Sequence, residues 1–195
     1  ATHSAIAGYF KYLKKINTYS NLNFGLRLSH NKVNVGWDFD SEEFLNDDFS
    51  SGFLDQFESL SLKNLSLTGS FGYVTRIFKN NKVSINLSSG FRSPNIDDLA
   101  KVFDSEPGNV VVPNPNLKPE RSFGIEFGGY FRTKNNIELD FSTYITYLYN
   151  SLLRDDFTLN NGLSEIIYDG ELSQIQALQN GSKSLIYGVE FGLKM

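Results

Sequence analysis

Two pairs of adjacent acids, Asp97 with Asp98 and Asp155 with Asp156, come nearest to a catalytic or metal-binding pattern in this chain. Paired carboxylates can divide general acid and general base work, or hold calcium through oxygen ligands. Both pairs stand in polar connecting segments without the regular ligand spacing of a calcium loop, so a solvated loop face explains them better. The two histidines, His3 and His30, lie in different segments, and a polar packing role suits His30 better than metal ligation. No cysteine is present, which removes thiolate metal sites and disulfides. Neither a nucleophile elbow nor a phosphate-binding loop occurs. The residues therefore point away from an enzyme, and no resident cofactor or metal is expected.

A second set of charged residues is more regular. Arg76, Arg92, Glu126, Arg132, Glu138, Asp140 and Glu190 each fall on the polar side of a segment in which apolar and polar residues alternate. Opposite charges on neighbouring strands can pair across a sheet, which favours mutual pairing over substrate binding for this group.

Five segments carry that period-two signature of strands with one apolar and one polar face. They run from Leu65 to Phe78, Lys82 to Arg92, Phe123 to Arg132, Ile137 to Ile145 and Leu185 to Lys194. Between Asn21 and Asp40 the apolar residues switch from even positions, through Leu28, to odd positions from Val33. One extra residue near His30 to Lys32 would produce the switch, by a β-bulge in one long strand or by a short hairpin, and the bulge is preferred because of the connections. With 21–40 as one strand, short connections at 14–20, 79–81 and 133–135 alternate with long polar ones at 41–64, 93–119 and 154–183. Within the last, a short helix is expected around LSQIQALQ.

Apolar residues make up 40 % of the chain and aromatics 14 %, too many for a disordered tail. A formal charge of -4 argues against sequence-independent nucleic-acid binding. No run of about 18 apolar residues exists, so no membrane-spanning helix is expected, which leaves a membrane barrel open. Short turns at one end and long loops at the other are how outer-membrane barrels are built. A soluble β-sandwich binding module is the rival, but its strands are commonly shorter than these. Tyr144, Tyr147, Tyr149 and Trp37, near strand ends, fit either an interfacial aromatic belt or a sugar-stacking surface.

Between the second and third of the alternating segments lie two motifs. Phe91, Arg92, Ser93 and Pro94 end one strand, and Asn114, Pro115, Asn116, Leu117, Lys118, Pro119 and Glu120 lead into the next. Pro94 cannot donate to a ladder and ends the strand begun at Lys82. Ser93 or Asn95 can cap a short helical turn through IDDLAKVF, with Asp97 and Asp98 near its positive end. Pro113, Pro115 and Pro119 keep the return segment extended. Loop architecture explains these residues better than direct ligand contact.

The order and spacing of the two boxes resemble the TonB-dependent receptors of the Gram-negative outer membrane. GYFKYLKK, LSLTGSFGYVTRI and YGVEFGLK look like barrel strands of the same family, so the resemblance covers essentially all 195 residues. It implies an all-β fold of antiparallel up-and-down strands, seven of them here, taken from a transmembrane barrel of about twenty-two. The chain would be a partial barrel domain over 1–195, without the plug that fills such barrels. The implied activity is import of a scarce small-molecule ligand (siderophore-iron, haem, cobalamin or glycan) with energy delivered by TonB. The implied partners are the TonB complex through the missing plug, the plug itself, against which some of the charged residues would face, and outer-membrane lipid. No histidine lies between Pro94 and Asn114, where haem importers of the family are expected to carry an iron ligand, which weakens haem. The isolated chain, with open sheet edges and lipid-facing aromatics, is expected to self-associate.

Overall fold

The computed structural model describes residues 1–36, 59–78, 80–100, 102–159, 162–168, 170–181 and 183–195. Seven strands form one antiparallel sheet: β1 (Thr2–Lys15), β2 (Ser20–Gly36), β3 (Ser59–Phe78), β4 (Asn81–Arg92), β7 (Glu120–Arg132), β8 (Glu138–Tyr149) and β12 (Lys183–Lys194). Each of these strands pairs with the next one in the sheet, so the wall is up-and-down throughout. The remaining elements lie in two long connections. They are α1 (Ile96–Ala100), β5 (Phe103–Glu106), β6 (Asn109–Val112), β9 (Leu152–Asp156), β10 (Glu165–Tyr168) and β11 (Glu171–Asn180).

The registers assign every strand residue to one of two faces. Leu28 faces Leu67, Ile85 faces Phe127, and Phe141 faces both Gly129 and Phe191 on the apolar side. Arg27 faces Thr68, and Asn86 faces both Gly72 and Glu126 on the polar side. Gly129 shows why one aromatic-rich row needs a glycine. Its missing side chain leaves room for the rings of Phe131 and Phe141, which stack with centroids 6.0 Å apart and would collide with a Cβ.

A soluble sandwich would bury the apolar face against a second sheet, and this fold does not. Phe191 keeps 75 % of its surface exposed, and Phe123, Ile125, Phe127 and Leu185 are exposed beside it. The buried core belongs to the long connections instead. One cluster joins Val110, Val112, Leu159, Ile175 and Ala177, with Phe157, Ile166 and Tyr168 against it. A second joins Leu99 and Leu117 to Val33 and Val35 of β2, flanked by Leu60 and Leu62 of β3.

That second cluster corrects the expected bulge. β2 runs unbroken and pairs residue for residue with both neighbours, His30 lying opposite Ile6 and Leu65. The apolar residues change parity because the polar face is itself covered there, so Val33 and Val35 are apolar on the side that is polar lower down. A register irregularity occurs elsewhere, between Arg76 and Phe78 at the β3–β4 turn. The strand β3 also begins at Ser59, inside the stretch read as a connection, and places Leu60 and Leu62 opposite Val35 and Val33.

The expected helix at LSQIQALQ is a strand, β11. Ser173, Ile175 and Ala177 are buried at alternate positions, and period two outweighs the helix-forming character of Leu, Gln and Ala. β11 holds together a five-stranded sheet, pairing with β10 and β9 antiparallel and with β6 parallel, while β5 continues from β6. Pro107 and Gly108 turn the chain from β5 to β6, and the φ of +80° at Gly108 is the left-handed geometry that a side chain would resist.

Candidate functional site

The two boxes sit where the wall meets the loop sheet, and their polar groups are spent on holding that junction. Arg92, the last residue of β4, donates from Nη2 to both carboxylate oxygens of Asp98 at 2.9 and 2.8 Å, and from Nη1 to Glu120 Oε2 at 2.9 Å. Glu120 Oε1 also accepts the backbone N–H of Leu152 at 2.8 Å. One carboxylate thus ties β4, β7 and the start of β9. Ser93 accepts from Asn64 Nδ2 at 2.9 Å, and Pro94 is fully buried behind it.

Of the two expected caps, Asn95 serves. Its Oδ1 accepts the N–H of Asp98 at 2.8 Å, while Asp98 Oδ2 accepts the N–H of Asn95 at 3.0 Å, a reciprocal capping box. The helix is shorter than IDDLAKVF, ending at Ala100.

The second box is tied in the same manner. Asn114 is buried, donates to the carbonyl of Leu178 at 2.9 Å and accepts the N–H of Asn116 at 3.0 Å. Leu117 fills the cluster around Val33 and Val35. The backbone of Lys118 is read on both sides by the side-chain amide of Asn180, donor and acceptor each at 2.7 Å. Pro119 offers its carbonyl to Asn150, and only Pro115, Asn116 and the Lys118 side of the box face outward as exposed residues. Phe91 points to the apolar face, aligned with Arg121. Sequence reasoning missed the partners Asn64, Leu152, Leu178 and Asn180. The run ending in Asn180 before Gly181 marks a strand end, but nothing local pairs it with Lys118.

The seven charged residues singled out by alternation share one face. Arg76 lies opposite Lys82, Arg92 opposite Glu120, Glu126 opposite Asn86 and Tyr144, Asp140 opposite Tyr130 and Gly192, and Glu190 opposite Ser142. Arg132 pairs with Glu138, Nε to Oε1 at 3.6 Å. The face is electrically divided. From β1 to β4 its described charges are Lys11, Lys15, Arg27, Arg76, Lys82 and Arg92, all basic, whereas β7, β8 and β12 carry Glu120, Glu126, Glu138, Asp140 and Glu190 beside Arg132 and Lys194. The divide falls between β4 and β7, and the Arg92–Glu120 pair bridges it.

Tyr144 lies on this charged face with its ring over Gly188, so it leaves the aromatic belt. Tyr147 and Tyr149 remain on the apolar face, 4.3 Å apart between ring centroids, with Phe123 edge-on to Tyr149 at 5.9 Å. Trp37 lies outside the described residues. Asp155 and Asp156 stand exposed on β9, where the carbonyl of Asp156 accepts from Gln179 at 2.7 Å. His3 is on the polar face opposite Val33, and His30 is on the apolar face. Among the described residues, no three ligating side chains gather into a metal-binding group.

Comparison with known proteins agrees with this geometry. The TonB dependent receptor-like, beta-barrel family matches residues 2–195. Among solved structures, the fold is similar to the Serratia marcescens hemophore receptor HasR, solved with its hemophore and heme, at a TM-score of 0.72 and 16% identity over 98% of this chain and 31% of that one. The copper transporter OprC follows at 0.67 and 16%, covering 98% and 26%, and the FrpB iron transporter from Neisseria meningitidis at 0.60 and 15%, covering 98% and 23%. The chain therefore spans about a third or less of the length of these structures. No curated protein matches it. With the match running the length of the described wall, the chain belongs to the TonB-dependent receptor β-barrel family, proteins of the Gram-negative outer membrane.

Proposed function

We propose that residues 1–195 are a wall segment of an outer-membrane receptor that imports a scarce ligand with TonB-supplied energy, and that the segment is not an enzyme. The apolar face meets lipid. The charged face lines the lumen, where Arg132 pairs with Glu138 and Arg92 with Asp98 and Glu120, while Arg76, Glu126, Asp140 and Glu190, with no opposite charge directly across the strands, face a plug domain outside these residues. The long connections, with the loop sheet, stand at the mouth where ligand arrives. Family membership supports the reading, and one observation carries it: a long sheet leaves a continuous apolar face exposed, Phe191 at 75 %, while its charged face carries all the wall's acids. Such a face is stable only against another apolar phase.

HasR is described in complex with its hemophore and heme, OprC as a copper transporter and FrpB as an iron transporter, which supports a metal or metal chelate as the ligand class here. Haem is the weaker member of that class here, because the described segment between Pro94 and Asn114 holds no histidine. The outer edges of β1 and β12 have no strand partner among the described residues, so the segment expressed alone self-associates.

The test is tryptophan placed singly at Phe191 and at Glu190 of the intact receptor in bilayers that contain brominated lipid. Strong quenching at 191 with little at 190 is expected. Equal quenching at both sites, or none at either, would sink the lipid-facing assignment. Import itself is tested by whether deleting the gene abolishes growth on a candidate iron chelate as sole iron source.

A further inference from the structure

The apolar face of the wall is not uniform along the strands, and its charges obey a rule. Among the described residues it carries five fixed cations, Lys14, Lys32, Lys63, Arg121 and Lys183, and no acid. Four of the five sit at the end that carries the long connections. Lys32 of β2 lies directly opposite Lys63 of β3 on this face. Like charges in directly opposed sheet positions destabilise a strand pair unless something anionic lies between or over them. Across the wall, Arg121 and Lys183 flank Tyr149 on its two sides in a single row. Within β7, β8 and β12 the next row towards the other end is Phe123, Tyr147 and Leu185, and below it every row of these three strands is apolar or carries at most a Thr or Gly.

From Phe123 to Phe131 the apolar stretch covers nine residues, about 27 Å along a strand and less in height once the strand tilts. That is the depth of the apolar band of such barrels, about 25 Å. The cation rows therefore begin where hydrocarbon ends on the long-connection side. Arg121, Lys63 and Lys183 are exposed there and make no ion pair with a described residue.

We propose that this face at the long-connection end binds lipid headgroups whose phosphate carries a net negative charge, in the adjacent leaflet, with Arg121 and Lys183 on one site around Tyr149 and Lys32 with Lys63 on another. A phosphate oxygen suits both positions. It screens the opposed lysines, and at the first row it accepts hydrogen bonds from cations that reach past the tyrosine ring. The inference rests on the membrane reading above, and the experiment separates the two.

The intact receptor is reconstituted in nanodiscs of phosphatidylcholine alone and of phosphatidylcholine doped with phosphatidic acid, and its thermal unfolding midpoint is measured in each. The doped bilayer is expected to raise the midpoint, and R121Q/K183Q and K32Q/K63Q are each expected to remove a large part of that rise; in phosphatidylcholine alone R121Q/K183Q matches the parent, and K32Q/K63Q matches or exceeds it because the opposed lysines are gone. The charge-conserving R121K/K183R keeps the rise, which covers the case in which a neutral variant folds poorly. Free inorganic phosphate added to the plain nanodiscs is expected to leave the midpoint unmoved, and a rise equal to that from doped lipid would overturn the lipid assignment. A rise of the same size in parent and neutral variants, or no rise in the parent, overturns the proposal. A protein that stays in water and enters neither bilayer overturns the membrane reading itself.

Discussion

The two sheets of this molecule obey the same period-two rule and bury opposite things. The seven-stranded wall has long strands and an apolar face that is largely open, with Phe127 at 42 % and Phe191 at 75 % exposure. The five-stranded loop sheet has strands of four to ten residues and a closed core, with Val110, Ile175 and Ala177 at 0 %. The difference teaches that the wall relies on an external apolar phase, while the loop sheet carries its own. Stability of the one should follow the membrane, and stability of the other should not.

The largest expected break falls on the loop sheet. Ile175→Ala removes the centre of its core and should cost about 2–5 kcal/mol there, read as faster hydrogen exchange in β6 and β11 with the exchange of β7 and β8 unchanged. Matching loss of protection in the wall would show that the two sheets are one cooperative unit. Phe127→Arg attacks the other side of the comparison. A cation at mid-face costs about 2–4 kcal/mol in lipid, so heat-modifiable, folded receptor in the outer membrane should fall. Normal assembly of this variant would contradict a lipid-facing wall.

The junction between the sheets should respond less. Glu120→Ala strands the Leu152 N–H and frees one arm of Arg92, a loss of about 1–3 kcal/mol, and Glu120→Gln should recover much of it because an acceptor remains. Limited proteolysis between β8 and β11 would report the loosening, and equal resistance in all three proteins would count against the tie. Smallest is Asn95→Ala. Loss of the cap should cost about 0.5–1 kcal/mol and loosen α1 without shifting the wall's melting, measurable as raised amide exchange at Asp98; an unchanged rate there would mean the cap contributes nothing.

How much of this was legible in the sequence follows the same division. The wall could be read because its strands are long and, apart from the ends of β2 and β3 at the loop cluster, meet one kind of surroundings on each face. Its short turns lie close to the expected places, at 16–19 inside the expected 14–20 and at 133–137 around the expected 133–135. The loop sheet could not, since β5, β6 and β10 have four residues each, too few for a period to show, and β11 is written in helix-forming residues. Val33 and Val35 were visible but misread, because a change of parity signals a bulge and a change of surroundings alike. The boxes announced themselves by their prolines, and Asn95 by its place before IDDLA. Their long-range partners did not, because the amide of Asn180 that reads Lys118 acquires that role only when two distant connections meet.

The parallel pairing of β6 with β11 has a consequence in time. Each of these strands comes from a different connection, and each is positioned by its own flanking wall strands, β4 with β7 for one and β8 with β12 for the other. A contact between segments so distant in sequence forms after the local hairpins that carry them. The loop sheet is therefore a late clasp, and its closure reports that the wall strands beneath it have found the correct register.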